Sequence, residues 1–303
     1  MKLDLVTGFL GAGKTTLISR FCRYFTGQGW RFGVVENEFG AAGVDSAILR
    51  EDFGEVRELS GGCICCTLKS GFYTLLEELS HTCDRVIVEP SGLYNLDDYF
   101  EVADALVRDG VAEYGMCLTL ADPRTLERLD GAEREILRDE LIGTGAVVWT
   151  KTDLAPECDL AGAEALLREI AGGLSAEVYP VSGPCLTDGD LAKLLEMTPR
   201  PQAHTRVFRD HQTLYQSTVL YPAGEYTPAG LRAAAEEMLS GSCGTVLRLK
   251  GFVNAGEGSL ALNCTADAKQ IDPCGRQPAA VNVIGRGLRR REMKAVLERG
   301  AAL

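Results

Sequence analysis

The stretch "TGFLGAGKTT", residues 7–16, decides the fold of the first part of this 303-residue chain. It has the spacing G-x-x-x-x-G-K-[ST], with Gly8, Gly13, Lys14 and Thr15 at the defined positions. The apolar run "KLDLVTG" predicts a strand before the turn, and the residues from Lys14 onward predict a helix. Glycines between a strand and a helix allow backbone N–H groups to surround a phosphate, which the helix N-terminus also attracts. The stretch therefore predicts a phosphate-binding loop.

Three side chains of this loop have separate predicted roles. We expect Lys14 to reach the β- and γ-phosphates of a nucleotide, Thr15 to bind Mg²⁺ through its hydroxyl group, and Thr16 to help with the α-phosphate. Lys14 is also a predicted catalytic residue, because its charge stabilises the phosphoryl group during transfer. The predicted nucleotide-binding residues of the loop are Gly11, Ala12, Gly13, Lys14, Thr15 and Thr16.

An acidic residue ends a second apolar strand, in "RVIVEPSG" at residues 85–92. Glu89 lies where phosphate-loop folds carry a carboxylate near Mg²⁺ or the attacking water, so we predict it as a magnesium ligand and a catalytic residue. An ordinary charge at a strand end is the competing interpretation. The segment "VVENEFGAAGVD", at 34–45, predicts a switch loop with Glu36 and Glu38 as oxygen donors. Glu38 is the other glutamate predicted to orient the water.

A third apolar strand, "VVWTKTDL" at 147–154, ends in residues suited to a purine base. The carboxylate of Asp153 can accept hydrogen bonds from the N1–H and amino groups of guanine, which adenine does not supply, and the stem of Lys151 can lie along the ring. This pattern predicts GTP in preference to ATP. Thr150 stands where the N-K-x-D pattern has asparagine, which leaves one hydrogen bond to the base edge open. Ser182, in "VSG" after the next strand, is predicted to contact the guanine through its backbone.

Three cysteines are crowded into "GGCICC", residues 61–66. Thiolates are soft ligands suited to Zn²⁺, Cu(I) or Co²⁺ in a tetrahedral field, with a fourth position for a side chain, a water or a client. In an extended segment Cys63 and Cys65 face one way and Cys66 the other, so a turn is needed to bring them together. Packing or a redox pair is the competing interpretation, but adjacent cysteines make strained disulfides. The cluster therefore favours a metal site.

The order of elements predicts the fold class. Up to about residue 195, β-rich runs alternate with helical stretches, which indicates an α/β fold with a parallel sheet flanked by helices. Prolines then interrupt the pattern near 197–205, so we place a nucleotide-binding domain at 1–197 and a smaller α+β domain at 205–303. The predicted strands are "KLDLVTG", "RFGVVEN", "DRVIVEP", "YGMCLTLAD", "GAVVWTK" and "AEVYPVS", then "LYQSTVLYP", "GTVLRLKGFV", "GSLALNC" and "AAVNVIG". Helices are predicted to start near Lys14, Ser70, Asn95, Ala132, Leu160 and Asp188, and to span 228–240 and 288–299.

Composition excludes several classes of protein. The formal charge of −12 argues against a general nucleic-acid binder, which needs a basic face to displace counterions from phosphates. The sequence shows no charged leader with an apolar core, and no apolar run approaches the ~20 residues of a membrane span. The odd number of cysteines, 11, favours reduced thiols over a disulfide framework. We therefore expect a cytoplasmic protein with no membrane segment.

The motifs "GFLGAGKTT", "ENEFG", "GGCICC", "EPSG" and "TKTD", in this order, resemble those of the CobW-type metallochaperone GTPases, relatives of the hydrogenase and urease nickel-insertion GTPases. The stretches "VLRLKGFV" and "VNVIGRGL" look like the second domain of that family. The resemblance implies slow GTP hydrolysis linked to delivery of a transition metal, commonly Zn²⁺ or Co²⁺, to a client metalloprotein or a corrinoid system. It also implies that the nucleotide state controls homodimerisation or client docking.

Two departures from the family pattern affect the predicted metal site. Ala41 stands where relatives often have a second carboxylate, which leaves Glu36 and the three cysteines Cys63, Cys65 and Cys66 as predicted ligands. The chain also lacks the His-rich tract of many relatives. Among its isolated histidines, His204 and His211 are the better pair to test.

Two other functions are compatible with parts of the sequence. A metal-storage or metal-sensing module would bind nucleotide only as a structural element, and its metal affinity would be equal in the GTP and GDP states. A small-molecule kinase would transfer the phosphoryl group to a substrate hydroxyl. Asp153 after Lys151, together with the cysteine cluster, argues against a kinase.

Overall fold

The structure is a computed structural model, and its description covers residues 1–36, 56–58, 69–90, 96–154, 157–173, 177–180, 186–199 and 215–302. Internal contacts divide the chain into two compact units, one with the described residues up to 199 and one with those from 215. The predicted domain limits at 197 and 205 border or fall within 200–214, outside the described residues. These limits therefore stay predictions.

The described strands of the first unit form one parallel sheet. Their order across the sheet is β3-β2-β4-β1-β5-β6-β7. Six of them match predicted strands, whereas β3 was missed because "VRE" is three residues long and has two charged residues. The strands are β1 (Lys2–Gly8), β2 (Phe32–Glu36), β3 (Val56–Glu58), β4 (Arg85–Glu89), β5 (Glu113–Ala121), β6 (Ala146–Trp149) and β7 (Glu177–Pro180).

The described helices of this unit begin within one residue of the predicted starts. Local capping explains the agreement at two of these helices: Asp130 and Glu133 form a capping box at one, and Thr187 and Asp190 form a capping box at the other. The helices are α1 (Lys14–Gln28), α2 (Lys69–Ser80), α3 (Leu96–Arg108), α4 (Gly131–Leu141), α5 (Leu160–Ala171) and α6 (Asp188–Leu194).

The sheet is covered on both faces, which explains why its strands are continuous apolar runs. On one face, Val6, Val34 and Ile87 pack in the same cluster as the apolar residues of α1. On the other face, Leu5 and Val88 pack with residues of α2 and α3. Helices α4 and α5 contribute to a third cluster around β6. The carboxyl edge of the sheet, where ligands bind in such folds, is thereby held in place.

The second unit is the predicted α+β domain. Its antiparallel strands have the order β12-β11-β10-β13-β8, with β9 beside β10 and β14 beside β9. Sequence reasoning missed the very short β9 and β14, and also β12, a polar edge strand with Pro273. The elements are β8 (Gln216–Leu220), β9 (Glu225–Tyr226), α7 (Pro228–Leu239), β10 (Thr245–Ala255), β11 (Gly258–Cys264), β12 (Lys269–Cys274), β13 (Ala280–Arg286), α8 (Arg290–Gly300) and β14 (Ala301–Ala302). The predicted fold class is confirmed. No helix in the described part of the chain is long and apolar enough to cross a membrane.

Candidate nucleotide-binding site

The phosphate loop connects the end of β1 to the start of α1, as its sequence predicts. Gly8 has φ 141°, and a Cβ at this position would overlap the carbonyl oxygen of Leu120 on the neighbouring strand. Gly13 is the N-cap of α1 with φ 92°, in the left-handed region that favours glycine. Neither position tolerates a side chain without movement of the backbone. The close turn therefore depends on these two glycines.

Lys14 lies within the loop at the first residue of α1. Its Nζ donates to the carbonyl oxygen of Gly8 at 2.8 Å and to that of Phe9 at 3.5 Å, and the residue is only 6% exposed. The N-cap, Gly13, supplies no side-chain cap, and the first turn of α1 holds no acidic residue. A buried ammonium group and an uncapped helix N-terminus both favour an anion at this point.

The "TKTD" segment is hydrogen-bonded directly to the phosphate loop. Thr150 Oγ1 donates to the carbonyl oxygen of Ala12 at 2.7 Å, and Lys151 Nζ donates to that of Gly11 at 2.6 Å. Lys151 has φ 57° and its Nζ lies 3.5 Å from Oδ2 of Asp122. Thr150 thus links the two motifs. The sequence did not indicate this role, because Thr150 stood out there only as a departure from the asparagine of the N-K-x-D pattern.

A cavity of about 320 Å³ opens between these two motifs. This volume falls in the range of small-molecule sites, about 300–1,000 Å³. Leu154, 62% exposed, adds an apolar wall beside Asp153. The lining includes Gly13, Thr16, Leu17, Thr150, Lys151 and Asp153. The structure therefore brings the predicted base-binding residues to the same cavity as Gly13 and Thr16 of the phosphate loop.

Two buried glutamates lie side by side at the carboxyl edge of the sheet. Glu36 of β2 and Glu89 of β4 are register partners, with exposures of 3% and 8%. Each comes two residues after a side chain that packs with α1, Val34 and Ile87 respectively, so both face the side of the sheet on which α1 lies. Carboxylates of register partners that face the same side of a sheet repel each other unless a cation is nearby. Carboxylate oxygens suit Mg²⁺, so Glu89 fits its predicted role as a ligand of that ion, whereas Glu36 is a predicted ligand of the transition metal.

Several predicted site residues lie outside the described residues. These are Glu38, Cys63, Cys65, Cys66 and Ser182, together with His204 and His211. Within the described residues, no group of three or more His, Cys, Asp and Glu side chains could hold a metal. Cys22 and Cys117 are buried, and burial raises the pKa of each thiol to about 12. They are packing residues, because a thiol that keeps its proton is a poor metal ligand.

One buried acid beside the phosphate loop was missed by sequence reasoning. Glu140 lies near the end of α4 and is 3% exposed. The buried residues of this helix, Ile136, Leu137, Glu140 and Leu141, follow helical spacing. Glu140 therefore falls on the apolar face of its helix, and an acidic residue at such a position is the signal that could have identified it.

The family comparison agrees with this geometry. Residues 3–176 match the model of the family described as CobW/HypB/UreG, nucleotide-binding domain. The "Zinc chaperone YeiR" of Escherichia coli (strain K12) is 33% identical over 165 residues, which cover 53% of this chain and 49% of the relative. This chain thus spans about half the length of that relative.

Two further relatives extend the comparison. The "Zinc chaperone CobW" of Pseudomonas aeruginosa is 30% identical over 307 aligned residues, which cover 83% of this chain and 76% of the relative. The "Zinc-regulated GTPase metalloprotein activator 1" of Schizosaccharomyces pombe is 32% identical over 164 residues, covering 50% of this chain and 39% of the relative. The region that matches the family model, residues 3–176, contains the phosphate loop and the "TKTD" segment that meet at the cavity. The chain belongs to the CobW/HypB/UreG family, and residues 3–176 correspond to its nucleotide-binding domain.

Proposed function

We propose that this chain is a GTP-hydrolysing metallochaperone that binds a transition metal and delivers it to a client protein. The observation that carries the nucleotide part is the pair of hydrogen bonds that join Thr150 and Lys151 to the phosphate loop beside one cavity. The relatives are named as zinc chaperones and as a zinc-regulated GTPase, which agrees with the prediction from the sequence. They make zinc the first metal to test and leave cobalt as the second.

The chemistry of hydrolysis depends on positioning and charge. The backbone of Gly11 to Gly13 and the side chain of Lys14 bind the phosphates, and Thr16 contacts the α-phosphate. Thr15 and Glu89 would hold Mg²⁺, which would neutralise the charge that develops on the phosphate oxygens. Glu89 or Glu38 orients the attacking water.

The base is bound at the other end of the site. Lys151 lies along the guanine, Asp153 accepts its N1–H and amino hydrogens, and the backbone of Ser182 contacts it. Support comes from the cavity that Lys151 and Asp153 share with Thr16.

The transition metal is the cargo, and Cys63, Cys65, Cys66 and Glu36 are its proposed ligands. Three thiolates and a carboxylate make a tetrahedral set that suits Zn²⁺ or Co²⁺. Glu36 ends β2, beside Glu89 of the proposed magnesium site. A change at the γ-phosphate could thus reach the metal through neighbouring strands. The client is a metalloprotein or a corrinoid system in the cytoplasm, and docking or homodimerisation depends on the nucleotide state.

Coupling between nucleotide and metal is the test of this function. We expect the Zn²⁺ dissociation constants measured with GDP and with a non-hydrolysable GTP analogue to differ about 5- to 150-fold, the usual range of such coupling. Combined Cys63→Ser, Cys65→Ser and Cys66→Ser substitutions should abolish tight binding in both states. Cys158→Ser and Cys274→Ser together serve as the control, because both cysteines are half-buried and lie apart from the cluster of three in the sequence. Equal affinities in the two states would indicate metal storage instead.

Base selectivity is tested at Asp153, which is exposed, so its replacement leaves the core unchanged. Asp153→Ala should weaken GTP binding about 10- to 100-fold, because charge-assisted hydrogen bonds contribute about 1.5–3 kcal/mol each. The preference for GTP over ATP should fall by the same factor, measured by competition with a fluorescent nucleotide. Glu157→Ala, a nearby exposed carboxylate, is the control and should bind like the wild type. Full GTP selectivity in Asp153→Ala would contradict the proposed base contact.

A further inference from the structure

Glu140 contacts the phosphate loop from the face of the sheet opposite α1. Thr7 Oγ1 donates to Glu140 Oε1 at 3.3 Å, and the backbone N–H of Gly8 acts on the carboxyl group to lower its pKa. Thr7 follows Val6, which packs with α1, so the Thr7 side chain points away from that helix. The carbonyl oxygen of Glu140 accepts from Thr119 Oγ1 at 2.8 Å. The acid is therefore fixed against the strand end at which the loop begins.

The carboxyl group is held in conditions that favour its neutral form. Burial raises the pKa of Glu140 to about 8. Lys14, Thr7 and Gly8 lower this pKa, but they offset the effect of burial only in part. Its Oε2 is buried and has no hydrogen-bond partner among the residues described. Among the described residues, the charged groups that act on the Glu140 carboxyl are Lys14 from α1 and Asp139 from the same helix as Glu140. Near neutral pH the group is thus close to its titration point.

Nucleotide phosphates would change this balance because they enter the same loop. Lys14, the cation that favours ionised Glu140, donates to the carbonyl oxygen of Gly8, and Gly8 follows Thr7, whose hydroxyl group donates to Glu140. Several negative phosphate charges beside Lys14 compete for its positive charge. They also repel a carboxylate that contacts Thr7, the residue before Gly8 of the loop. Both effects oppose ionisation of Glu140.

We propose that Glu140 is a positioning residue of the phosphate loop, and that its carboxyl group takes up one proton from solvent when nucleotide phosphates bind. The proton adds to a carboxylate oxygen, and no bond to the nucleotide forms or breaks. This inference rests on the proposed function, since it needs the loop to bind a nucleotide. If Glu140 takes up this proton, the affinity for nucleotide depends on the charge of Glu140, a residue outside the direct nucleotide contacts proposed above.

The sign of the pH dependence follows from linkage. At a pH below the pKa that Glu140 has in the free protein, the carboxyl group is protonated both in the free protein and in the nucleotide complex. Nucleotide affinity then does not depend on pH through Glu140. Above that value, near 8, the free protein must gain a proton to bind, so affinity falls by up to tenfold per pH unit. The fall ends at the higher pKa of the bound state. Glu140→Gln keeps the shape of the group and removes its titration.

The test is the dissociation constant of a fluorescent GDP analogue from about pH 7 to about pH 9. We expect the wild-type constant to rise about tenfold over this range, and that of Glu140→Gln to stay within about twofold. Glu169→Gln, an exposed glutamate on α5, should follow the wild type. A purely structural role would change melting temperature but not this profile. Equal pH profiles in the wild type and Glu140→Gln would overturn this inference and leave the proposed function intact.

A second measurement needs no variant. Calorimetric titration of the wild type with GDP near pH 8, in buffers of different ionisation enthalpy, counts the protons taken up. The phosphates of the nucleotide contribute little there, because a phosphate has its second pKa near 6. Uptake approaching half a proton or more supports the proposal, and zero uptake overturns it. If the wild type binds no guanine nucleotide at any pH, the proposed function fails, and this inference fails with it.

Discussion

Lys14→Ala is expected to lower the rate of GTP hydrolysis at least about 100-fold, the cost of losing one preorganised charge at a transition state. Lys14 is buried at the start of α1, and its ammonium group bonds the carbonyl oxygens of Gly8 and Phe9 within the loop. Water cannot replace it there as a donor to the β- and γ-phosphates. Phosphate release at saturating GTP and Mg²⁺ measures the effect.

The control for this variant is a lysine outside the site. Lys193→Ala changes an exposed lysine on α6 and should hydrolyse GTP at the wild-type rate. Lys14→Ala should keep the wild-type far-ultraviolet circular dichroism spectrum, because the turn itself depends on Gly8 and Gly13. Unchanged hydrolysis in a folded Lys14→Ala protein would refute the assignment of the loop as the catalytic centre.

Asp4→Ala is expected to lower the free energy of unfolding by about 3–5 kcal/mol, the cost of leaving one partner of a buried ion pair alone. Asp4 is fully buried on the central strand β1 and accepts from Arg85 at 2.6 and 2.9 Å and from the N–H of Met116 at 2.8 Å. The Arg85 side chain is 11% exposed and lies over the rings of Phe25 and Trp30. The guanidinium group would lose its acceptor without reaching water.

Urea unfolding measures this loss, since a lower midpoint with an unchanged slope reports stability alone. Asp84→Ala is the matched control, because Asp84 pairs with Arg31 at 2.6 Å in an exposed setting, with side-chain exposures of 46% and 66%. Exposed pairs contribute about 1 kcal/mol or less. Equal effects of the two substitutions would show that the buried pair contributes nothing beyond a surface one.

Much of the first unit was predictable because its signals are local. Turn glycines, capping residues and apolar runs act over a few neighbouring residues, so the phosphate loop and the helix starts follow directly from the chain. The "TKTD" segment was predictable for the same reason, as a strand followed by polar residues. The three-residue β3 and the polar edge strand β12 were missed, because neither has an apolar run of its own.

The sequence by itself determined most of the elements of the fold, and it predicted the phosphate loop and the choice of Lys151 and Asp153 for the base. Only the tertiary structure decided the strand order, which places Glu36 of β2 beside Glu89 of β4. It also decided the bond from Thr150 to the loop and the contact of Glu140 with Thr7, 133 residues away in the chain. Such contacts depend on which strands pair and which helix covers them. Burial then raises the pKa of Glu140, because the cost of ionisation depends on surroundings that no local pattern records.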